Sequence, residues 1–93
     1  MTVTRRINAA IAGQYGVEAD PVVSLIEEAE QRVFHRVASE RITAAVVIVA
    51  DGSPDKLLDV LQLMETDWRD LLVAARLAEA DWPEKLDRIF GPG

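Results

Sequence analysis

The residues from Ile42 to Ala50 read ITAAVVIVA, and this stretch decides how the rest of the chain must be arranged. It is apolar at every position except Thr43, so a helix through it would be hydrophobic around its whole circumference. Such a helix must be surrounded by other apolar surface. We therefore predict that this segment lies at the centre of the protein, with the other helices packed around it.

The same stretch leaves a second secondary structure open. Residues 46–49 are all β-branched, which also suits a short buried strand. A helix is preferred because no other segment of the chain offers an obvious strand partner. Upstream, Asp20 and Pro21 form a strong helix start, since aspartate caps free amides and proline fits the first helical position.

The length of this predicted second helix is itself informative. Apolar residues at helical spacing continue from Pro21 to Ala50, which as one helix would measure about 45 Å. A compact chain of 93 residues has a radius of gyration of only about 12 Å. We therefore expect either a break between Ser39 and Thr43 or an oligomer built on this long helix.

Turn signals divide the remainder of the chain. Residues 4–14 fit a short first helix, and Ser53-Pro54 marks the start of another. Asp67-Trp68 and Asp81-Trp82 look like two further helix starts, each capped by its aspartate. The prediction is an all-α single domain over residues 1–93, with four to five helices packed around a long central second helix.

Covering the central helix is a problem for so short a chain. If its own helices do not suffice, the remaining apolar face marks an association surface, and a two-fold homodimer is the commonest solution. The alternative is a central helix fully enclosed by its own chain. The interface candidates are Ile42, Val46, Val47 and Val49. The predicted core side chains are Phe34, Ile48, Leu58, Leu61, Trp68, Leu71 and Leu72.

Composition excludes several classes of protein. The formal net charge is -6 and there is no cysteine, so thiol catalysis, disulfides and thiolate metal sites are ruled out. An acidic chain disfavours sequence-independent binding to nucleic acid or to anionic membranes. The longest unbroken apolar run has seven residues, far fewer than the ~20 that span a bilayer. We expect a cytoplasmic protein that does not bind membranes.

No residue pattern indicates catalysis or a cofactor. His35 follows Glu28 and Gln31 at helical spacing, but glutamate with glutamine is a poor ligand set, and a surface histidine is the simpler interpretation. The acidic pair Asp55 and Asp59 faces away from the leucine stripe of its helix, as a solvated face would. We expect no catalytic, cofactor-binding or metal-binding residues, and hence no enzyme.

Charge supports two alternatives to an assembly module. Arginines 32 and 36, with 41, 5 and 6, could form a basic strip in a helical nucleic-acid-binding regulator, although neighbouring glutamates neutralise most of it. Residues 51–93 hold ten acids against five bases, which suits an acidic inhibitor or antitoxin-like protein that binds a basic partner. The preferred hypothesis remains a non-catalytic helical interaction module that associates through its Val/Ile-rich helix.

The segment Asp67-Trp68-Arg69-Asp70, followed by LLVAA, resembles part of a group of small bacterial all-helical proteins of unassigned function. The resemblance covers residues 40–78, whereas Trp82-Pro83 and the N-terminal third lie outside it. It implies an all-helical fold and brings no activity, ligand or catalytic residue.

Overall fold

The computed structural model describes residues 4–35 and 39–92, and every regular element in these ranges is helical. The elements are α1 (Arg5–Tyr15), a 3-10 turn (Gly16–Glu18), α2 (Ala19–Phe34), α3 (Glu40–Ala50), α4 (Pro54–Ala74) and α5 (Trp82–Phe90). The all-α prediction is confirmed for this part of the chain. Residues 46–49 are helical, so the strand alternative was wrong.

The predicted long second helix is two helices, as the alternative of a break expected, but the break precedes residues 40–43, which are helical. α2 ends at Phe34, and His35 takes a left-handed conformation with φ 57°. α3 begins at Glu40 after Ser39, whose Oγ accepts a hydrogen bond from the amide of Ile42. A left-handed residue cannot continue an α-helix, so the chain turns here and stays compact. Its Cα radius of gyration is 11.9 Å.

α3 occupies the centre of the structure, as its apolar sequence predicts. It packs most extensively against α4 and also contacts α1 and α5. The other helices bury nearly its whole circumference, including Ala44, Ala45 and Ala50. Because alanine side chains are short, neighbouring backbones approach closely and less surface is needed to enclose the helix. The chain thus covers its own centre, so a second copy is not needed for that purpose.

α4 is a kinked element. Asp67 departs from helical geometry with φ -157° and ψ 88°, and its Oδ1 accepts hydrogen bonds from the amides of Arg69 and Asp70 at 3.2 and 3.3 Å. The predicted helix start at Asp67 is therefore confirmed. Ser53 likewise caps the first half, since its Oγ accepts from the amide of Lys56 at 3.2 Å.

The second predicted aspartate cap is not formed. α5 begins at Trp82, but the carboxylate of Asp81 caps no amide. It lies instead 3.6 Å from the Nζ of Lys85, one turn along the same helix.

Several predicted core residues are corrected by the structure. Leu61, Leu71 and Leu72 are buried, whereas Phe34 and Ile48 are half-buried. Leu58 is 58% exposed because it lies about 100° around the helix from its buried neighbour Leu57. Trp68 follows the kink and turns outward, where its ring meets that of Phe34 edge-on at 6.4 Å.

Candidate interaction surface

The four predicted interface residues do not share one surface. Ile42, Val46 and Val47 are buried between the helices of their own chain. The expectation that these three residues contact a partner stays a prediction, and their own chain encloses them. Val49 is half-buried and reaches the surface beside Ile48. Ile48 and Val49, which we call the α3 edge, are the part of the Val/Ile-rich run that its own chain leaves half-covered.

A first groove lies on one side of the α3 edge, and we call it the α3–α4 groove. Its volume is about 440 Å³, and its lining residues are Val49, Lys56, Asp59, Val60 and Leu63. The four α4 residues follow i, i+3, i+4, i+7 spacing and therefore lie on one face of that helix. The apolar side chains sit beside one cation and one anion, so the groove is close to neutral.

A second groove begins at the other residue of the α3 edge, and we call it the α3–α5 groove. Its volume is about 520 Å³, and its lining residues are Ile48, Ala75, Arg76, Lys85, Arg88 and Ile89. Lys85 donates from Nζ to the backbone oxygen of Arg76 at 2.7 Å, which ties α5 to the end of α4. This groove is apolar inside and carries three cations.

Sequence reasoning missed the α3–α5 groove. A local signal was present, because Lys85, Arg88 and Ile89 follow i, i+3, i+4 spacing and share one face of α5. What the sequence could not supply was the turn that brings Arg76 to the same place. Arg76 lies two residues after the end of α4 and has φ 62°, a left-handed conformation that no glycine marks in the sequence.

A buried acid, Glu30 of α2, contacts α3 on the side opposite the α3 edge. Glu30 is fully buried, and the Oγ1 of Thr43 donates to its Oε2 at 2.5 Å. Its Oε1 has no hydrogen-bond partner in the described part of the chain. Burial raises the pKa of Glu30 to about 7, and the hydrogen bond from Thr43 offsets this only in part. The charged form is thus costly here.

Most of the predicted basic strip is occupied by internal contacts, whereas Arg5 is exposed. Arg6 binds Glu40 through two hydrogen bonds of 2.8 and 2.7 Å and also contacts Asp87 at 2.7 Å. Arg32 pairs with Glu65 at 2.8 Å. Arg41 donates to the backbone oxygen of Leu77 at 2.7 Å and lies 5.4 Å from the Trp82 ring centroid. Arginine 36 lies outside the described residues.

The residues considered for a metal do come together. Glu28, Gln31, Arg32 and His35 line a shallow depression of about 470 Å³ on α2. Arg32 brings a positive charge to it, which opposes binding of a cation. Within residues 4–35 and 39–92, no three histidine or acidic side chains are grouped as metal ligands.

Similarity to known proteins adds no functional information. No protein-family model matches the sequence, and no curated protein or solved structure shows significant similarity to it. The resemblance of residues 40–78 to small bacterial helical proteins therefore stays a prediction. Within residues 4–35 and 39–92, no helix combines the length and the hydropathy that crossing a bilayer requires.

Proposed function

We propose that the protein is a non-catalytic helical assembly module that forms a two-fold dimer through the α3–α4 groove. The observation that carries this proposal is the side-by-side placement of Val49, Val60 and Leu63 with one cation and one anion. Compared with the hypothesis from the sequence, the proposed contact still involves the Val/Ile-rich helix, but it lies at the α3 edge and not at the enclosed valines.

Charge favours a second copy over an unlike partner. A two-fold interface brings the same patch of both molecules together, so the patch must complement itself. Lys56 and Asp59 meet this requirement, because an antiparallel pairing of two α4 helices sets Lys56 of each copy near Asp59 of the other. A patch of one sign would repel its own copy.

Apolar contacts would supply most of the affinity. Val49 and Leu63 are half-buried in the monomer and lose further exposure when a second α4 covers them. A stable interface buries about 800 Å² on each partner. The pairing must therefore run along most of α4 before its kink, a length of about 20 Å at 1.5 Å per residue.

Reciprocal charge reversal tests the dimer and its geometry together. We expect the wild type to sediment as a dimer at micromolar concentration in analytical ultracentrifugation. Lys56→Glu and Asp59→Lys each create two like-charge contacts across the two-fold axis, so each variant alone should be monomeric. An equimolar mixture of the two variants restores opposite charges at both contacts and should form a heterodimer.

Two controls make the result specific. Val17 is 94% exposed on the 3-10 turn, and Val17→Glu should leave the dimer intact. Val49→Glu should yield a monomer whose circular dichroism spectrum remains helical. A wild type that sediments as a monomer throughout would overturn the proposal, and so would a mixture of the two charge variants that stays monomeric.

A further inference from the structure

We infer that the α3–α5 groove binds an acidic amphipathic segment of a partner protein. This site lies at a different surface from the proposed dimer contact, since the two grooves share no lining residue. The inference rests on three observations: the concentration of cations at the α3–α5 groove, its apolar interior, and a neighbouring groove that is continuous with it.

The cations of the C-terminal half are gathered at this groove. Residues 51–93 contain five basic and ten acidic residues, and three of the five basic residues line the α3–α5 groove. Among the described residues, Arg76 and Arg88 form no ion pair, and the one ion pair of Lys85 is the 3.6 Å contact with Asp81, beside its hydrogen bond to the backbone oxygen of Arg76. The groove therefore keeps a positive charge on a protein of net charge -6, and it favours an anionic ligand.

The apolar lining distinguishes a peptide from a nucleic acid. Ile48, Ala75 and Ile89 line the groove, and Ile89 is 54% exposed in the unbound protein. None of its described lining residues is aromatic, so bases have no ring to stack on. An amphipathic helix satisfies both features, because its apolar side chains enter the groove while its carboxylates meet the surrounding cations.

A neighbouring groove lengthens the site. It has a volume of about 310 Å³, and its lining residues are Val73, Arg76, Ala78, Glu79 and Lys85. Arg76 and Lys85 belong to both grooves, so the two are continuous. Val73 adds an exposed apolar side chain, whereas Glu79 adds one acid at this end. A ligand helix should therefore place its carboxylates toward Arg88, away from Glu79.

Fluorescence anisotropy with defined probes tests the inference. The first probe is a labelled 15-residue helical peptide with leucines at i, i+4, i+7, i+11 and glutamates elsewhere on its surface. The second replaces each glutamate by lysine, and the third is a labelled 15-base-pair DNA duplex. The 93-residue chain carrying Lys56→Glu serves as the parent, so that self-association does not compete with peptide binding, and the wild type is measured beside it.

The inference predicts a clear ranking. The leucine–glutamate peptide should bind the parent and wild type alike, and more weakly as salt rises, since screening weakens the ion pairs. Arg88→Glu should weaken binding roughly tenfold or more, whereas Arg88→Lys keeps most of the affinity. Arg5→Glu, the same charge change at an exposed residue of α1 outside the groove, should change the affinity less than about twofold.

Other results would overturn the inference. These are no binding of the leucine–glutamate peptide, tighter binding of the leucine–lysine peptide, and binding that Arg88→Glu leaves unchanged. Capture of the duplex in preference to the acidic peptide, abolished by Arg88→Glu, would assign the groove to nucleic acid instead. Failure of the dimer is recognised separately, because it appears in sedimentation and leaves peptide binding intact.

Discussion

Two glutamates lie at the first turn of α3 and differ in burial and in hydrogen-bond donors: Glu40 is the first residue of the helix, whereas Glu30 of α2 is bonded to Thr43. Glu40 is half-buried, and its carboxylate accepts hydrogen bonds from Arg6 and, at 2.6 Å, from the Oγ1 of Thr4. Arg6 lowers the pKa of Glu40. Glu30 is fully buried with a single hydroxyl donor, and burial raises its pKa to about 7. Partners therefore stabilise the charge of one carboxyl, and desolvation opposes the charge of the other.

This difference determines how stability depends on pH. The folded chain binds the proton of Glu30 more tightly than the unfolded chain, so stability decreases as pH rises from about 4.5 to about 7. For Glu40 the folded pKa is lowered, so its contribution is present above the unfolded value and is lost as pH falls through the folded one. The free energy of unfolding should thus be greatest in mildly acidic solution.

Removing the hydrogen-bond donors of Glu40 should have the largest effect on stability. Arg6→Ala removes the donors to Glu40, together with those to Asp87 and the backbone oxygen of Gly91, and so removes the hydrogen bonds by which Arg6 links α1 to α3 and α5. We expect a loss of about 2–3 kcal/mol in the free energy of unfolding at pH 7, because Glu40 stays half-buried without its cation. Urea denaturation measures it.

The neighbouring arginine provides a matched control for this variant. Arg5 is exposed on the same helix, so Arg5→Ala should change the free energy of unfolding by less than about 0.5 kcal/mol. Equal losses for the two variants would show that the contacts of Arg6 add nothing beyond its position in α1.

Removing the charge of Glu30 should have a smaller effect on stability, of the opposite sign. Glu30→Gln keeps the shape and an acceptor for Thr43 but removes the charge. We expect a gain of about 2 kcal/mol at pH 8, because desolvation of the carboxylate is avoided while the new amide remains poorly bonded. Near pH 5 the gain should almost disappear, since Glu30 is then mostly protonated in the folded chain. Thermal unfolding from pH 5 to 8 measures both.

An exposed residue of the same helix serves as the comparison. Glu28→Gln should show no such pH-dependent gain, because Glu28 lies on the solvent side of α2. A Glu30→Gln variant that is less stable than wild type at pH 8 would contradict the view that burial controls this group.

Sequence reasoning succeeded at two local helix starts, although the equally local cap predicted at Asp81 is not formed. The caps at Ser53 and Asp67 depend on residues within three positions, and both are confirmed. The helical, buried nature of Ile42–Ala50 follows from a composition that no exposed element tolerates. The end of α2 at Phe34 carried no such signal, since a left-handed His35 is not marked by glycine or proline.

The surface was harder to predict because it depends on what remains uncovered. The four interface candidates have equivalent side chains in sequence, and only packing separates Val49 from the enclosed Val46 and Val47. The i+4 spacing from Ile26 places Glu30 on the apolar face of α2, but only the packing of α3 shows that Thr43 is its hydrogen-bond partner. Such residues are identified by tertiary contacts between segments distant in sequence, which no local pattern contains.

The smallest expected effect comes from removing the Thr4 hydroxyl while the residue keeps its position before α1. Thr4 precedes α1 as its N-cap residue, yet its side chain caps no amide and donates instead to Glu40. Thr4→Val keeps the β-branched shape and removes only this donor, so we expect a loss of about 0.5–1 kcal/mol at pH 7. In a Glu40→Gln background the loss should fall to less than half, because a bond to a neutral acceptor is weaker. An unchanged loss in that background would mean that Thr4 acts through α1 alone, and that Arg6 by itself keeps Glu40 charged.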